Sequence, residues 1–91
     1  MPLLSNQQIT SELQSLKGWT LKGKEITKTF DKKDFIRAIG FVNSVALYAE
    51  KFNHHPDIDI RWNTVTLALS THSEGGLTEK DFKLAREIET L

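Results

Sequence analysis

Ninety-one residues suffice for one compact domain, residues 1–91, and leave no room for a second. The chain is 38% hydrophobic and 26% charged, and its twelve basic residues balance twelve acidic ones without a basic block, which argues against direct nucleic-acid binding through bulk charge. It has no cysteine, which excludes disulfides, thiolate zinc sites and a cysteine nucleophile and fits a reducing cytoplasm.

Met1 to Asn6 lack the basic and apolar regions of a signal peptide, and the longest apolar run, Val45 to Ala49, is far short of a membrane span; the expected address is cytoplasmic. Ser5 followed three residues later by Gln8 forms a capping box that opens a helix. Ile9, Leu13 and Leu16 recur at helical spacing, and Gly18 is suited to end that helix in a left-handed conformation. Trp19–Lys22 and Glu25–Phe30 read as a hairpin around Gly23. Asp31 is the next N-cap candidate, opening a long helix whose apolar stripe runs Phe35, Ile36, Ile39, Val42, Ala46, Ala49. Pro56 forces His55 out of the α region, so the helix ends near Asn53 or His54.

Clean alternation follows. Ile58, Ile60 and Trp62 share one strand face against Asp57, Asp59 and Arg61, and Val65, Leu67 and Leu69 alternate with Thr66, Ala68 and Ser70. A turn at Asn63-Thr64 pairs Trp62 with Val65, Ile60 with Leu67 and Ile58 with Leu69, apolar against apolar. Extended to the open end, this register sets His55 level with His72. Ser73-Glu74-Gly75-Gly76 is a loop, and Thr78 caps a last helix carrying Phe82, Ala85 and Ile88, with Asp81 at its third position. The expected fold is α+β in the order α-β-β-α-β-β-α, a four-stranded antiparallel sheet with helices on one face.

The residues suited to chemistry collect at one end. Glu50 and His54 share a helix face, and His54 and His55 sit at a helix C-terminus, where the dipole favours imidazolium. His72 lies across the hairpin. Histidine titrates near working pH, so this group is a candidate for general acid–base catalysis. The same residues also fit solvated helix caps. A metal is disfavoured, because adjacent side chains diverge and zinc sites space their histidines more widely. Trp62 fits a core or rim aromatic, and Asp81 a helix-start carboxylate. The residues by themselves indicate a histidine-based site and no particular reaction.

Taken together they resemble the signature of the pterin-4a-carbinolamine dehydratase family. Glu50 precedes His54-His55-Pro56, Trp62 follows after five residues, His72 after nine more and Asp81 after eight. Gly18-Trp19, Val45-Ala46-Leu47, Ser70-Thr71-His72 and Gly76-Leu77-Thr78 add to the likeness, which covers nearly the whole chain. The resemblance implies dehydration of 4a-hydroxytetrahydropterin, the product of aromatic amino acid hydroxylases, to quinonoid dihydropterin and water, with no metal or organic cofactor. It implies that His54 and His72 form the acid–base pair and that Glu50 and His55 hold the polar edge of the pterin. Asn53, Ser70, Thr71 and Ser73 would line the pocket, Asp81 would orient His72 from behind, and Trp62 would pack beside the site.

Family members form dimers and tetramers, and some relatives are dimerisation partners of a transcription factor. A homo-oligomer, built as a dimer of dimers, is expected here. Phe41, Val45 and Tyr48 extend the long helix's apolar surface beyond an inward stripe of Ile39, Val42, Ala46 and Ala49, so Val45→Glu is expected to split the assembly. Two alternatives are an interaction module for a transcription regulator and a pterin-related role without a hydroxylase.

Overall fold

The computed structural model describes residues 2–91. Helix α1, Asn6–Gln14, opens with the expected capping box, in which Gln8 N–H donates to Ser5 Oγ and Ser5 N–H to the Gln8 side chain. It ends earlier than expected. Gly18 is left-handed, with φ of 88°, but it lies past the helix, in the turn that leads to Trp19.

Strands β1, Thr20–Lys22, and β2, Glu25–Asp31, form the first hairpin. Asp31 therefore belongs to a strand. The cap of helix α2, Phe35–Phe52, is Asp34, whose carboxylate accepts from Arg37 N–H. The second hairpin joins β3, Asp57–Arg61, to β4, Thr64–Leu69, and helix α3, Glu79–Ile88, closes the chain. The sheet is antiparallel in the order β1-β2-β4-β3, so β4 lies at its centre between β2 and β3. Val65, Leu67 and Leu69 of β4 and Ile26 of β2 are fully buried, and they meet Ala38, Phe41 and Val45 of α2 and Phe82, Ala85 and Ile88 of α3.

Two expectations fail in informative ways. The β3–β4 register is shifted by two residues: Ile58 faces Leu67 and Ile60 faces Val65. The turn is Trp62-Asn63, with Trp62 in the left-handed position at φ of 55°. Asn63 is occupied elsewhere, because its carbonyl accepts from Lys32 N–H at 2.8 Å. Helix α2 is also rotated from the expected stripe. Phe41 and Val45 face the core, whereas Ile36 is 83% and Leu47 74% exposed, and Ala46 points to solvent. A charge at Val45 would therefore strike the core and does not test assembly.

The end of α2 sets the site. Asn53 stops the helix in the left-handed conformation, with φ of 50° and ψ of 46°. Its N–H bonds the Glu50 carbonyl and that of His54 the Ala49 carbonyl, which together make a Schellman closure. An alanine at φ above zero costs about 1–2 kcal/mol, and asparagine tolerates that region better. Asn53→Ala should lower stability by about 1 kcal/mol, with Asn53→Gly neutral or slightly stabilising. Denaturant midpoints check this, and equal losses for both variants would remove the backbone explanation.

Candidate active site

Three chain segments converge beyond the end of the sheet. The Schellman closure turns the chain back at Asn53, and His54 lies buried against α3 while His55 stays on the surface. Pro56 then leads into β3. From the centre of the sheet, β4 runs through Ser70 to Thr71, whose N–H bonds the Gly76 carbonyl at 2.8 Å. Between them His72–Glu74 form a single 3-10 turn, closed by Gly75 at φ of 77°, a geometry that suits glycine. His72 is thereby held at the surface beside the end of α2.

The third segment is the N-terminus of α3. Thr78 is the cap, and Asp81 completes its capping box by accepting the Thr78 N–H on Oδ2 at 2.9 Å. The same oxygen accepts the Thr71 hydroxyl at 2.8 Å, and Oδ1 meets His54 Nε2 at 2.5 Å. Asp81 is fully buried, and its contacts satisfy it from three sides. Sequence reasoning tied Asp81 to His72; the structure pairs it with His54, because α3 packs against α2 and presents its first turn to the end of that helix.

This network fixes proton positions. Thr71 has one hydroxyl proton and gives it to Asp81, so the 2.8 Å bond between the Thr71 and Thr78 hydroxyls is donated by Thr78. Asp81 receives from Thr71 and from the Thr78 backbone, and as a carboxylate it receives from His54 too. The neutral His54 ring thus carries its proton on Nε2. Nδ1 makes no hydrogen bond within the described residues, and it is not sealed from solvent. Nδ1 is the atom left free to exchange a proton.

His55 repeats the pattern on the surface, with Nε2 at 2.5 Å from Glu50 Oε2. The side chain of His72 bonds no described residue and is exposed. A cleft of about 270 Å³ is lined by Asn53, His54, His55, Ser70, Thr71, His72 and Ser73. Glu50 reaches its edge through His55. Trp62 does not approach it: this side chain is 70% exposed in the β3–β4 turn, at the opposite end of the hairpin. Lys80 lines the cleft as well and was not anticipated. Its place one residue before Asp81, in the first turn of the same helix, is the signal that would have found it.

Such an arrangement suits proton transfer to and from a small polar molecule. It offers an imidazole held in one tautomer, a second imidazole across the opening, and serine and threonine groups between them. Among the described residues no set of three or more His, Asp, Glu or Cys side chains is placed to hold a metal. Among the same residues no helix is long and apolar enough to cross a membrane.

Comparison with known proteins points to one family. Residues 2–91 match the family model described as Pterin 4 alpha carbinolamine dehydratase. A protein of Nocardia farcinica with the provisional name pterin-4-alpha-carbinolamine dehydratase is 55% identical over 89 residues, covering 98% of this chain and 94% of its own. One of Roseiflexus sp. with the same provisional name is 54% identical over 88 residues, covering 97% and 95%. The crystal structure of a transcriptional coactivator/pterin dehydratase from Brucella melitensis superposes with a TM-score of 0.91 at 43% identity, covering 96% of this chain and 95% of that one.

Proposed function

We propose, from the premise that the chain belongs to the pterin 4 alpha carbinolamine dehydratase family, that it converts a 4a-hydroxytetrahydropterin to quinonoid dihydropterin and water by histidine acid–base catalysis. One observation carries the reading: His54, His55 and His72 meet in a single cleft, with the Nδ1 atom of His54 left available by Asp81. The reaction needs two proton transfers. The C4a–O bond breaks as the N5 lone pair forms the new C4a–N5 double bond; N5 gives up its proton and the departing hydroxyl takes one. Neutral His54, with its lone pair at Nδ1, is the base toward N5–H. His72, across the cleft, is the acid toward the hydroxyl. His55 with Glu50, and the Ser70–Ser73 segment, hold the polar edge of the ring. The test is direct: purified protein added to freshly generated 4a-hydroxytetrahydropterin should accelerate dehydration well beyond the buffer rate. Unchanged dehydration at micromolar protein would overturn the proposal.

The same reading includes a homo-oligomer, a dimer of dimers, joined through the outer face of α2. Ile36 and Leu47 are supporting features, two large apolar side chains exposed on one helix face. Leu47→Glu should split the assembly with thermal stability of the protomer nearly intact, because Leu47 contributes little to the core. Sedimentation at micromolar concentration checks it, and a wild-type monomer of 10.4 kDa would sink the assembly proposal. A second reading, as a partner of a transcription regulator, draws on the coactivator name of the Brucella protein and on this same helix face. It requires no change to the cleft.

A further inference from the structure

A second hollow of about 250 Å³ adjoins the cleft, set between the end of α2 and the first turns of α3. His54 and Lys80 line both. Its remaining wall is Phe52, Glu79, Lys83 and Arg86. Three cations thus face one carboxylate, in a chain whose charges balance overall. Glu79 is engaged by Arg86 at 3.7 Å, and Arg86 also by Glu12 at 3.0 Å. Lys80 and Lys83 have no acidic partner among the described residues, and the Lys83 ammonium lies 5.1 Å from the centre of the Phe52 ring. The opposite flank, beyond His72, sets Lys22 and Lys24 against Glu25 and has no aromatic wall. Counting the lysine, arginine and glutamate side chains that line each hollow, the net charge is +2 beside His54 and +1 beyond His72, and the aromatic wall is on the His54 side.

The chemistry of the ring says what this hollow is near. C6, which carries the pterin's side chain, is bonded directly to N5. If His54 takes the N5 proton, that side chain leaves the ring one bond from the site of proton transfer. We infer, resting on the dehydratase reading, that the second hollow receives the C6 side chain of the substrate and selects one that carries an anionic group, with Lys83 and Lys80 binding the anion and Phe52 flanking the carbon chain. The substrate class is thereby narrowed to pterins whose side chain ends in a phosphate ester or a carboxylate.

The test uses two stable 7,8-dihydropterins that differ only in a phosphate monoester on the C6 side chain, titrated calorimetrically into the whole protein. The phosphorylated ligand should bind about tenfold more tightly at low salt, and the advantage should shrink as salt screens the lysines. In Lys83→Gln the advantage should fall to about twofold or less, while the unphosphorylated ligand binds as in wild type, since Lys83 lies outside the cleft. Inorganic phosphate should compete with the phosphorylated ligand alone. Equal affinities in wild type, or an advantage that Lys83→Gln leaves intact, would overturn the inference. Turnover of a neutral 4a-hydroxytetrahydropterin on the same preparation separates the failures. Turnover without any phosphate preference sinks this inference and spares the dehydratase reading; absence of both turnover and pterin binding sinks the two together.

Discussion

Replacement of His54 by glutamine and of His72 by alanine is expected to lower kcat by about a hundredfold each, the usual range for a lost general acid or base. Glutamine is the informative choice at position 54. Its side-chain amide can still donate toward the buried Asp81 carboxylate, so the fold keeps the bond now made by Nε2, yet no atom remains to exchange a proton. Alanine there would leave Asp81 one donor short and mix a stability loss with the catalytic one. His72 bonds no described residue, and its truncation should cost little stability. The double variant should be at least as slow as the slower single, without the two factors multiplying, because the transfers belong to one reaction step. His55 faces the same cleft and can relieve part of either single loss. Rates are compared at substrate saturation, with thermal melts confirming folded protein. A double variant that kept the wild-type rate would remove both histidines from the mechanism.

The features readable in the sequence were those fixed by local chemistry. Ser5 with Gln8, Thr78 with Asp81 and the stop imposed by Pro56 each depend on a few neighbouring residues, and each appears where expected, the helix stop within two residues. Strand alternation likewise named the buried face of β4. The register was not readable, because shifting the hairpin by two residues still sets apolar against apolar. Its choice fell to a distant contact, the hold of Lys32 on the Asn63 carbonyl, and to a tryptophan in a left-handed turn position. The rotation of α2 escaped for a related reason. Phe35, Ile36, Ile39, Val42, Ala46 and Leu47 make the helix apolar nearly all round, so periodicity could not select the stripe of Ala38, Phe41, Val45 and Ala49.

The gathering of the site survived the error in register. His55 and His72 were brought together by a pairing two residues out of step, yet the cleft still contains both, because the 3-10 turn after Thr71 carries His72 back across the end of α2. What the sequence could not supply was the partner of Asp81. That depends on the packing of α3 on α2 and on Thr71 joining the network from a third segment. The family resemblance sets Asp81 behind His72, nine residues earlier in the chain, whereas its partner is His54, twenty-seven residues earlier.

The identity of that partner carries the second large effect, expected for Asp81→Asn. The new amide has one acceptor and one donor end in place of two acceptors. At the Oδ2 position the Thr71 hydroxyl and the Thr78 N–H both point inward as donors, which holds the amide oxygen there and turns the NH₂ toward His54 Nε2. Two donors cannot face one another in a buried contact, so the ring must present its lone pair at Nε2 and carry its proton on Nδ1. The atom needed as base then already holds a proton. Loss of kcat by about 10²–10⁴ is expected, the upper figure being that of the same exchange in a Ser-His-Asp triad, with KM changed far less. Stability should fall by only about 1–2 kcal/mol, since every backbone donor keeps an acceptor. Long-range nitrogen–proton NMR correlations of the His54 ring give the readout that a merely structural role would not move: the proton on Nε2 in the wild type and on Nδ1 in the variant. A variant that shows the exchanged tautomer and still turns over at the wild-type rate would show that Nδ1 of His54 is not where the proton is taken.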